Sequence, residues 1–514
     1  MEENLKRVNL FQAGSRPNRS PSDNLFMLRA AIDHQKYKGK ALYVTTYDFE
    51  QAFDSLWLQD CVMTLMRLGV PKDILHLVYN LNKEANITIN TPYGLTSPTK
   101  ITDIVEQGTV LGSNLCSSST AEYCEMNKGI YIGPARVKSL LYVDDISDLS
   151  YSREDAVRNH DNAIIFSRMK KLSFSKTKCK TIIVNRSKGD IPPDLYIDGE
   201  KIESVPKVTY LGDVINEKGN NKDLIDDRLQ RGTSAMIRIE ALVKETCLGI
   251  YTIQVHLLLY RSLFIPCVLF NSQTWSNLLD SDLERLGRLQ LKCLKKILNV
   301  PQSTSNSFTY LEFGVLPIMY EIQLNQLMFL HHIIHLQDDD PVKSVFDSMT
   351  FFPEEKNWWH QVRKLLEKYQ INLMWVEENN REVFRKIVKQ KITSVALREL
   401  NNDCQSKAKT RHLMYEKLAP QDYLNHLYPT QSKVIFQCRS KTLDIKTHRQ
   451  YKYLDTICRR CRNNDESIDH VSNCQNQIYI DTSLIDHLGI VSYEVKLTLI
   501  TISNRIEEFL NQCE

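Results

Sequence analysis

The sequence predicts an α+β protein whose first part forms an antiparallel sheet with helices on one face and whose remainder is mostly helical. Two observations lead to this prediction. Short β-branched and aromatic runs alternate with amphipathic helices up to about residue 205. From about residue 222, apolar residues recur at helical spacing along most of the remaining chain. The length of 514 residues implies several modules rather than a single core.

In the first part, two predicted strands end in acidic residues. A strand over 41–47 ends at Asp48, and a strand over 137–143 ends at Asp144-Asp145. The pair Asp198-Gly199 marks the turn of a hairpin over 193–205. The other predicted elements are a helix from Asp23, helices over 55–68 and 74–81, a hairpin of strands 87–91 and 101–105, helices over 117–127 and 153–171, and a strand over 179–185.

The second part is predicted to be built from amphipathic helices. Helical spacing of apolar residues covers 224–246, 251–264, 278–298, 318–335 and 358–369. The large aromatic and histidine residues in this part are predicted to pack rather than to bind a ligand, namely Trp275, His331, His332, Trp358 and Trp359.

Composition indicates an ordinary folded protein, with 42% hydrophobic and 25% charged residues. The longest apolar stretch, 257–270, is broken by Arg261 and Pro266 and is too short to span a bilayer. No signal peptide is visible, and the 13 scattered cysteines suit reduced thiols, so we expect the cytosol or the nucleus. Net charge is only +3, but Lys and Arg gather over 168–188 and 433–462, which suits phosphate contact as well as a solvated face.

The two acidic motifs have the chemistry of a metal site. They read Asp48-Phe-Glu-Gln-Ala-Phe-Asp54 and Leu141-Tyr-Val-Asp-Asp145. Transfer of a nucleotidyl group uses two Mg²⁺ ions roughly 3.5–4 Å apart, and these ions require oxygen ligands. An Asp-Asp pair at a turn is, taken alone, more often a solvated loop or a helix cap. Two such motifs at strand ends favour Asp48 and Asp144 as bridging ligands, with Asp145 as the third.

The ordered set of motifs resembles the reverse transcriptases of non-LTR (LINE-type) retrotransposons. The matching segments are Gln12-Ala-Gly-Ser-Arg-Pro-Asn-Arg-Ser-Pro-Ser-Asp-Asn24, the two acidic motifs, Gln107-Gly-Thr-Val-Leu-Gly-Ser113, Leu172-Ser-Phe-Ser-Lys-Thr-Lys178 and Tyr210-Leu-Gly212. Ser15 stands where the family has Phe, and Ser113 where it often has Pro. The resemblance implies a polymerase palm with residual fingers over 1–205, a primer-grip hairpin and helical thumb over 206–300, a helical C-terminal region over 301–449, a zinc knuckle over 450–480 and a tail over 481–514.

The resemblance also implies how a nucleotide binds. The backbone carbonyl of Phe49 contacts the metal that carries the triphosphate. The ring of Phe53 packs on the sugar and excludes a 2′-hydroxyl, which selects deoxynucleotides. Gln107 and Gly108 let the backbone approach the incoming nucleotide, since glycine has no Cβ.

The residues that the resemblance implies for gripping the primer and for protonating pyrophosphate lie further along the chain. Lys176 is a candidate general acid toward pyrophosphate, although Lys178 is equally placed and either lysine could simply face a phosphate. Tyr210, Leu211 and Gly212 form a hairpin that grips the primer end. The implied activity is that of an RNA-directed DNA polymerase, which extends a DNA primer on an RNA template with dNTPs and two Mg²⁺ ions.

Near the carboxyl terminus, Cys458-x₂-Cys461-x₈-His470-x₃-Cys474 has the spacing of a structural zinc site. Four nitrogen and sulfur ligands in a short segment suit one tetrahedral Zn²⁺, and a unit this small needs the metal to fold. The alternative is a coincidental group of reduced cysteines. The set resembles the zinc knuckle of LINE-type polymerases, and Arg459, Arg460 and Arg462 favour contact with nucleic acid.

The resemblance leads to one expectation about the extent of the protein and leaves two alternative functions open. The motif beginning at Gln12 has no finger motif before it, and no endonuclease is visible, so we expect an N-terminally truncated fragment of a mobile-element protein. One alternative is a non-catalytic nucleic-acid-binding protein on the same scaffold, which the intact Asp48, Asp144 and Asp145 disfavour. The other is an RNA-templated RNA polymerase, which Phe53 disfavours. The oligomeric state is not predicted.

Overall fold

The computed structural model describes residues 9–102, 105–106, 108–246, 253–474, 479–485 and 493–513. The chain divides into two compact units, each assembled from separate segments. The first unit comprises Met1–Leu224, Asn271–Leu278 and Gln326–Arg381. The second comprises Ile225–Phe270, Leu279–Asn325 and Glu382–Glu514. The domain boundaries expected from the sequence stay predictions.

The elements up to residue 216 belong to the first unit. They are α1 Pro21–Tyr37, β1 Leu42–Tyr47, α2 Ala52–Ser55, α3 Leu58–Arg67, α4 Lys72–Lys83, β2 Glu84–Ile87, β3 Asn90–Thr91, β4 Gly94–Leu95, β5 Thr99–Thr102, α5 Val110–Ala121, β6 Ile130–Ile132, β7 Ala135–Val137, β8 Leu140–Tyr142, β9 Asp145–Ser150, α6 Arg153–Lys170, β10 Lys180–Val184, β11 Tyr196–Ile197, β12 Glu200–Lys201, β13 Glu203–Ser204, β14 Lys207–Tyr210 and β15 Asp213–Asn216.

From residue 222 the regular elements are helices. They are α7 Lys222–Thr246, α8 Ile253–Leu259, a π-helical stretch Tyr260–Phe264, α9 Ile265–Leu269, α10 Asp280–Ile297, α11 Asn306–Phe313, α12 Ile318–Ile334, α13 Pro341–Thr350, α14 Trp358–Lys368, α15 Leu373–Glu378, α16 Arg381–Gln405, α17 Tyr423–His426, α18 Pro429–Arg439, α19 Ile468–Asn473 and α20 Tyr493–Cys513. Short 3₁₀ turns occur at Glu122–Glu125, Ser272–Thr274 and Ser483–Ile485.

A five-stranded sheet in the order β13-β10-β1-β9-β8 forms the centre of the first unit. All its pairs are antiparallel except β10 with β13. Strand β1 is buried along its whole length, and β9 and β10 are buried beyond their first residues, so both faces of the central strands are covered. Helix α6 packs on β1 and β9, while α1 packs on β1 and β8. The α+β class is confirmed, but helices cover both faces of these strands rather than one.

Several predicted elements need correction in their limits. The helix expected over 117–127 is α5 and begins at Val110, because Thr109 caps it by accepting a hydrogen bond from the Gly112 amide. The helix expected from Ser55 is α3 and begins at Leu58, and the short helix α2 precedes it. The strand expected over 101–105 includes residues 103 and 104, which lie outside the described residues. The hairpin at Asp198-Gly199 is confirmed, with positive φ at both residues as a type I′ turn requires.

Helix α1 has a capping box and an aromatic neighbourhood. The Ser20 amide donates to Asp23 at 2.8 Å, and Asp23 accepts a further hydrogen bond from His332. Phe26 packs edge-on against Phe329 and Trp358, with ring centroids 5.5 and 5.2 Å away. The first unit therefore has a second aromatic core beside the sheet, and the histidine and tryptophan of this group pack as predicted.

In the second unit, buried polar side chains join the helices. The Gln290 side chain donates to Tyr260 Oη and accepts from Tyr310 Oη, at 2.8 and 3.0 Å. Glu312 is fully buried and accepts hydrogen bonds from Arg439 on α18. Gly314 ends α11 with a φ of +59°, and a Cβ there would lie 2.0 Å from the carbonyl carbon of Ala419.

One apolar stretch passes a simple test for a membrane span. Residues Ile253–Thr274 have a mean hydropathy of 1.6, and 39% of the apolar window is buried. A core helix of a globular protein passes the same test, and this stretch contains Arg261 and Pro266. It is weak evidence for a transmembrane helix.

Candidate active site

The three predicted metal-binding aspartates lie at the ends of neighbouring strands. Asp48 follows β1, Asp144 lies in the turn between β8 and β9, and Asp145 is the first residue of β9. In the antiparallel register of β1 and β9, Tyr47 pairs with Ile146. Asp48 directly follows Tyr47 and Asp145 directly precedes Ile146, so the two carboxylates lie close enough for the charge of one to act on the other. Two separate motifs thus meet at one edge of the sheet, and all three side chains are partly exposed there.

The electrostatics of this edge favour a bound cation. Burial raises the pKa of Asp144, and the charge of Asp48 raises it further. Burial, followed by the charges of Asp144 and Asp48, raises the pKa of Asp145 to about 6. Carboxylates that repel one another in this way form a site that suits divalent cations, which prefer oxygen ligands. Asp48, Asp144 and Asp145 are the residues that would hold Mg²⁺.

The segment 172–178 supports the Asp48 loop through backbone contacts. The Ser175 amide donates to the Asp48 carbonyl, and the Glu50 amide donates to the Ser173 carbonyl, each at 2.8 Å. The Phe49 ring is buried and stacks on Phe174, with centroids 4.6 Å apart. Phe49 is therefore fixed beside the carboxylates, and its side chain packs in the core.

The structure separates the two lysines that the sequence left equivalent. Lys178 Nζ lies 3.0 Å from Asp48 Oδ1. Lys176 Nζ lies 3.1 Å from Glu200 Oε1 in the β11–β12 hairpin. Lys178 therefore contacts the carboxylate site, whereas Lys176 pairs with Glu200.

The predicted nucleotide-binding residues surround the start of α2 and α5. Phe53 lies in α2 and is half-exposed, so its ring is available to a ligand. Gly108 has a φ of +87°, and a Cβ there would meet nothing within 4 Å. This glycine is thus explained by its left-handed backbone rather than by crowding. Gln107 lies outside the described residues.

The primer-grip motif forms a tight hairpin. Leu211 and Gly212 are the turn between β14 and β15, with φ of +45° and +83°. Tyr210 is buried, and its hydroxyl donates to the Leu140 carbonyl at 3.1 Å. Leu211 and Gly212 are partly exposed, whereas Tyr210 ties this hairpin to β8.

The first part of the chain is similar to known proteins. Residues 1–215 match the family model described as reverse transcriptase (RNA-dependent DNA polymerase). These residues are a reverse transcriptase domain. The chain is also 22% identical, over 312 residues, to the RNA-directed DNA polymerase from mobile element jockey of Drosophila funebris. That alignment covers 58% of this chain and 33% of the relative, so the chain spans about a third of the length of the curated protein it matches.

Two solved telomerase structures share partial similarity. Apo telomerase from Candida tropicalis covers 75% of this chain and 60% of its own, with 12% identity and a TM-score of 0.35. Telomerase from Candida albicans, solved with a fragment of telomeric RNA, covers 74% of this chain and 56% of its own, with 12% identity and a TM-score of 0.31.

Beyond the reverse transcriptase domain, the second unit contains a compact group of cysteine and histidine side chains that could hold a metal ion. One ligand atom from each of Cys458, Cys461, His470 and Cys474 lies within 4.8 Å of all the others. The Sγ atoms of Cys458 and Cys474 are 3.9 Å apart, and Cys461 Sγ lies 3.2 Å from His470 Nε2. A tetrahedron with 2.3 Å bonds to sulfur has edges of roughly 3.8 Å. The donor set and its spacing therefore fit one Zn²⁺ ion.

The backbone around these ligands is arranged to support them. The Arg460 and Asn463 amides point at the sulfur atoms of Cys458 and Cys461, at 3.4 and 3.5 Å. Buried Glu466 accepts hydrogen bonds from Arg459 and holds the loop closed. Arg459 is thus used for structure, which the sequence did not reveal.

Sequence reasoning also missed a residue in the reverse transcriptase domain. Gln12 was recognised as part of a motif, but no role was assigned to it. Its side chain contacts the backbone of Val143, directly before Asp144. Sequence separation conceals such a contact, since nothing in the residues near Gln12 indicates its partner.

Proposed function

We propose that this chain is the polymerase part of a non-LTR retrotransposon protein and that it extends a DNA primer on an RNA template. The observation that carries the proposal is the meeting of Asp48, Asp144 and Asp145 at one edge of the sheet, within a reverse transcriptase domain. Two Mg²⁺ ions, when bound, would neutralise charge on the attacking and leaving oxygens. We place this activity in the nucleus or the cytoplasm, whose reducing conditions suit the 13 scattered cysteines of the sequence.

The residues around the carboxylates have distinct tasks in this proposal. Asp48, Asp144 and Asp145 would hold the Mg²⁺ ions, with Asp145 as the third carboxylate beside the first two. Phe53 closes the space beside the deoxyribose, while Gly108 permits a close backbone approach by the nucleotide. Lys178, rather than Lys176, faces the charged oxygens, because its ammonium already lies at Asp48.

Primer extension tests the proposal directly. Purified chain would receive oligo(dT) on poly(A) with dTTP and Mg²⁺, and we expect extension that is lost in Asp144→Asn. The matched control is Asp161→Asn, which changes an exposed aspartate on α6 and leaves extension intact. Extension that survives Asp144→Asn overturns the proposal. Binding of the duplex without any extension supports the alternative of a non-catalytic nucleic-acid-binding protein.

We propose that the Cys458, Cys461, His470 and Cys474 group holds one structural Zn²⁺ ion and forms a zinc knuckle. Support comes from the spacing of the four ligand atoms and from the amides directed at two of the sulfurs. Elemental analysis should give one zinc per chain, and Cys461→Ser should lose it. Cys267→Ser, which removes a half-exposed thiol elsewhere in the second unit, should retain it. Equal zinc in the parent protein and Cys461→Ser excludes the site.

We propose further that the template RNA contacts a basic surface formed by Lys409, Arg449 and Tyr451, near the knuckle in sequence. Tyr451 is 76% exposed, Arg449 donates to its hydroxyl at 2.7 Å, and Lys409 lies 5.8 Å from its ring centroid. The nearby basic residues Lys452 and Arg459 are paired with Asp444 and Glu466. Cations beside an exposed ring suit the phosphates and bases of single-stranded nucleic acid.

A further inference from the structure

Gln12 bonds both backbone groups of a residue far along the chain. Its side chain is completely buried. Oε1 accepts from the Val143 amide at 2.9 Å and from the Gly14 amide at 2.8 Å. Nε2 donates to the Val143 carbonyl at 3.0 Å and to Thr120 Oγ1 at 2.9 Å. All the hydrogen-bonding capacity of the carboxamide is thus used, half of it on Val143.

Val143 has a backbone conformation that its side chain disfavours. Its φ is +59°, in the left-handed region, which a β-branched residue seldom adopts. Such a conformation persists only where the surroundings enforce it. Thr120 Oγ1 adds a hydrogen bond to the Val143 carbonyl at 2.7 Å. Because Val143 directly precedes Asp144, its backbone sets the direction in which the turn presents that carboxylate.

Gly14 allows the two segments to approach. A Cβ at this position would lie 2.3 Å from the Val143 nitrogen and 2.6 Å from Val143 Cγ2. Any other residue would push the segments apart and lengthen the bonds from Gln12. The glycine is therefore required by contact, although its own φ is ordinary.

We propose that Gln12 is a positioning residue that holds Val143 in the left-handed conformation and thereby orients Asp144 toward the metal ions. The contacts from Gln12 and Thr120, with the space left by Gly14, form what we call the Gln12 clamp. The proposal deepens the proposed function and rests on it, because it takes Asp144 as a metal ligand. If the clamp is released, Val143 relaxes toward extended backbone and the Asp144 side chain turns away from Asp48.

Metal binding tests the clamp without requiring catalysis. Mn²⁺ binding to the full chain would be followed by electron paramagnetic resonance, with Asp144→Ala as the blank for other sites. We expect Gln12→Met, which keeps the shape but removes the hydrogen bonds, to weaken binding by about tenfold or more, as loss of a group that orients a metal ligand typically does. Gln35→Met is the matched control, since Gln35 is also a buried glutamine near the sheet, on α1, and should leave affinity unchanged.

A rescue experiment separates positioning from general destabilisation. Glycine adopts a positive φ without strain, so Gln12→Met combined with Val143→Gly should regain most of the Mn²⁺ affinity. Should Gln12→Met fail to fold, Thr120→Val removes one arm of the clamp and can be tested with the same Val143→Gly partner. The proposal is overturned if the double variant binds Mn²⁺ as weakly as the single variant that lacks Val143→Gly. So does a Gln12→Met protein that binds Mn²⁺ as tightly as the parent.

Hydrogen exchange supplies a readout independent of metal. In the metal-free protein, the Val143 amide should exchange at least tenfold faster in Gln12→Met than in the parent, because its acceptor is gone. Protection that is unchanged in this amide contradicts the clamp. If Gln12→Met changes hydrogen exchange and Mn²⁺ affinity as expected but the parent protein never extends a primer, the polymerase function is refuted and the role of the Gln12 clamp is retained.

Discussion

Lys178 and Asp48 form an ion pair in the middle of the proposed metal site, with Nζ 3.0 Å from Oδ1. The hydrogen bond to Asp48, followed by its charge, raises the pKa of Lys178. Both side chains are partly exposed, at 65% and 35%. A cation that binds Asp48 must therefore displace this ammonium group or share the Asp48 carboxylate with it.

Removal of the ammonium should tighten metal binding. We expect Lys178→Met to increase Mn²⁺ affinity about two- to fivefold, because the ion pair that it removes is exposed to solvent and therefore weak. Lys176→Met is the matched control, because its ammonium pairs with Glu200 instead. Electron paramagnetic resonance titration measures both. An equal effect of the two substitutions would contradict the separate positions of these lysines.

Phe53 should control the choice of sugar. We expect Phe53→Ala to raise the use of UTP relative to dTTP by about tenfold or more, because a removed aromatic ring opens space for the 2′-hydroxyl. Primer extension with each nucleotide gives the ratio of kcat/KM. Trp57→Ala, a change at another exposed aromatic residue nearby, should leave the ratio unchanged. A ratio unaltered by Phe53→Ala would remove this residue from nucleotide selection.

The basic surface of Lys409, Arg449 and Tyr451 should bind single-stranded RNA. We expect Tyr451→Ala to weaken poly(A) binding by about fivefold or more, since stacking on one aromatic side chain contributes about 1–3 kcal/mol per base. Lys409→Ala should lower both the affinity and its salt dependence. Lys452→Ala should have little effect, because Asp444 already pairs with this lysine. Fluorescence anisotropy at two salt concentrations distinguishes these outcomes.

Asp33 should make the first unit less stable as pH rises. It is buried and accepts hydrogen bonds from Ser276 and Asn277, at 2.7 and 3.1 Å. Burial raises its pKa from 3.8 to about 6. The folded state therefore holds the proton more tightly than the unfolded state, so this contribution is complete below pH 4 and is lost as pH rises through 6.

The size of the effect follows from the shift of about two pKa units, which corresponds to about 3 kcal/mol. In Asp33→Asn, the free energy of unfolding should fall less steeply between pH 4 and pH 7 than in the parent protein. Urea denaturation at each pH, followed through tryptophan fluorescence, gives both curves. Parallel curves would show that Asp33 titrates normally in the folded state.

Local sequence predicted β1 and helices such as α1, α6 and α7, but it did not predict β9, the strand that begins at Asp145. β1 ends at Tyr47, directly before Asp48, as expected, because its β-branched and aromatic residues favour a buried strand. The start of α5 was missed, since its small and polar residues give little helical periodicity, and only the Thr109 cap marks it. The arrangement of the carboxylates could be inferred, although the register that brings Asp48 close to Asp145 could not.

Contacts between distant segments could not be predicted from the sequence. Lys176 and Lys178 are two residues apart and chemically identical, and only their partners Glu200 and Asp48 separate them. The Gln12 clamp depends on a residue more than a hundred positions away. Its two visible signals, a glutamine and a nearby glycine, are common residues with many uses.

The position of β1 in the sheet determines where this chain tolerates an inserted residue. β1 is paired on both sides, by β9 and β10, over nearly all its residues. A single codon inserted within 42–47 would shift that register by one residue and turn Asp48 to the opposite face. The hairpin of β3 and β4 is mostly exposed and should accept the same insertion. One residue inserted in β1 is therefore expected to abolish the proposed metal site, whereas one inserted around residue 93 should leave that site intact.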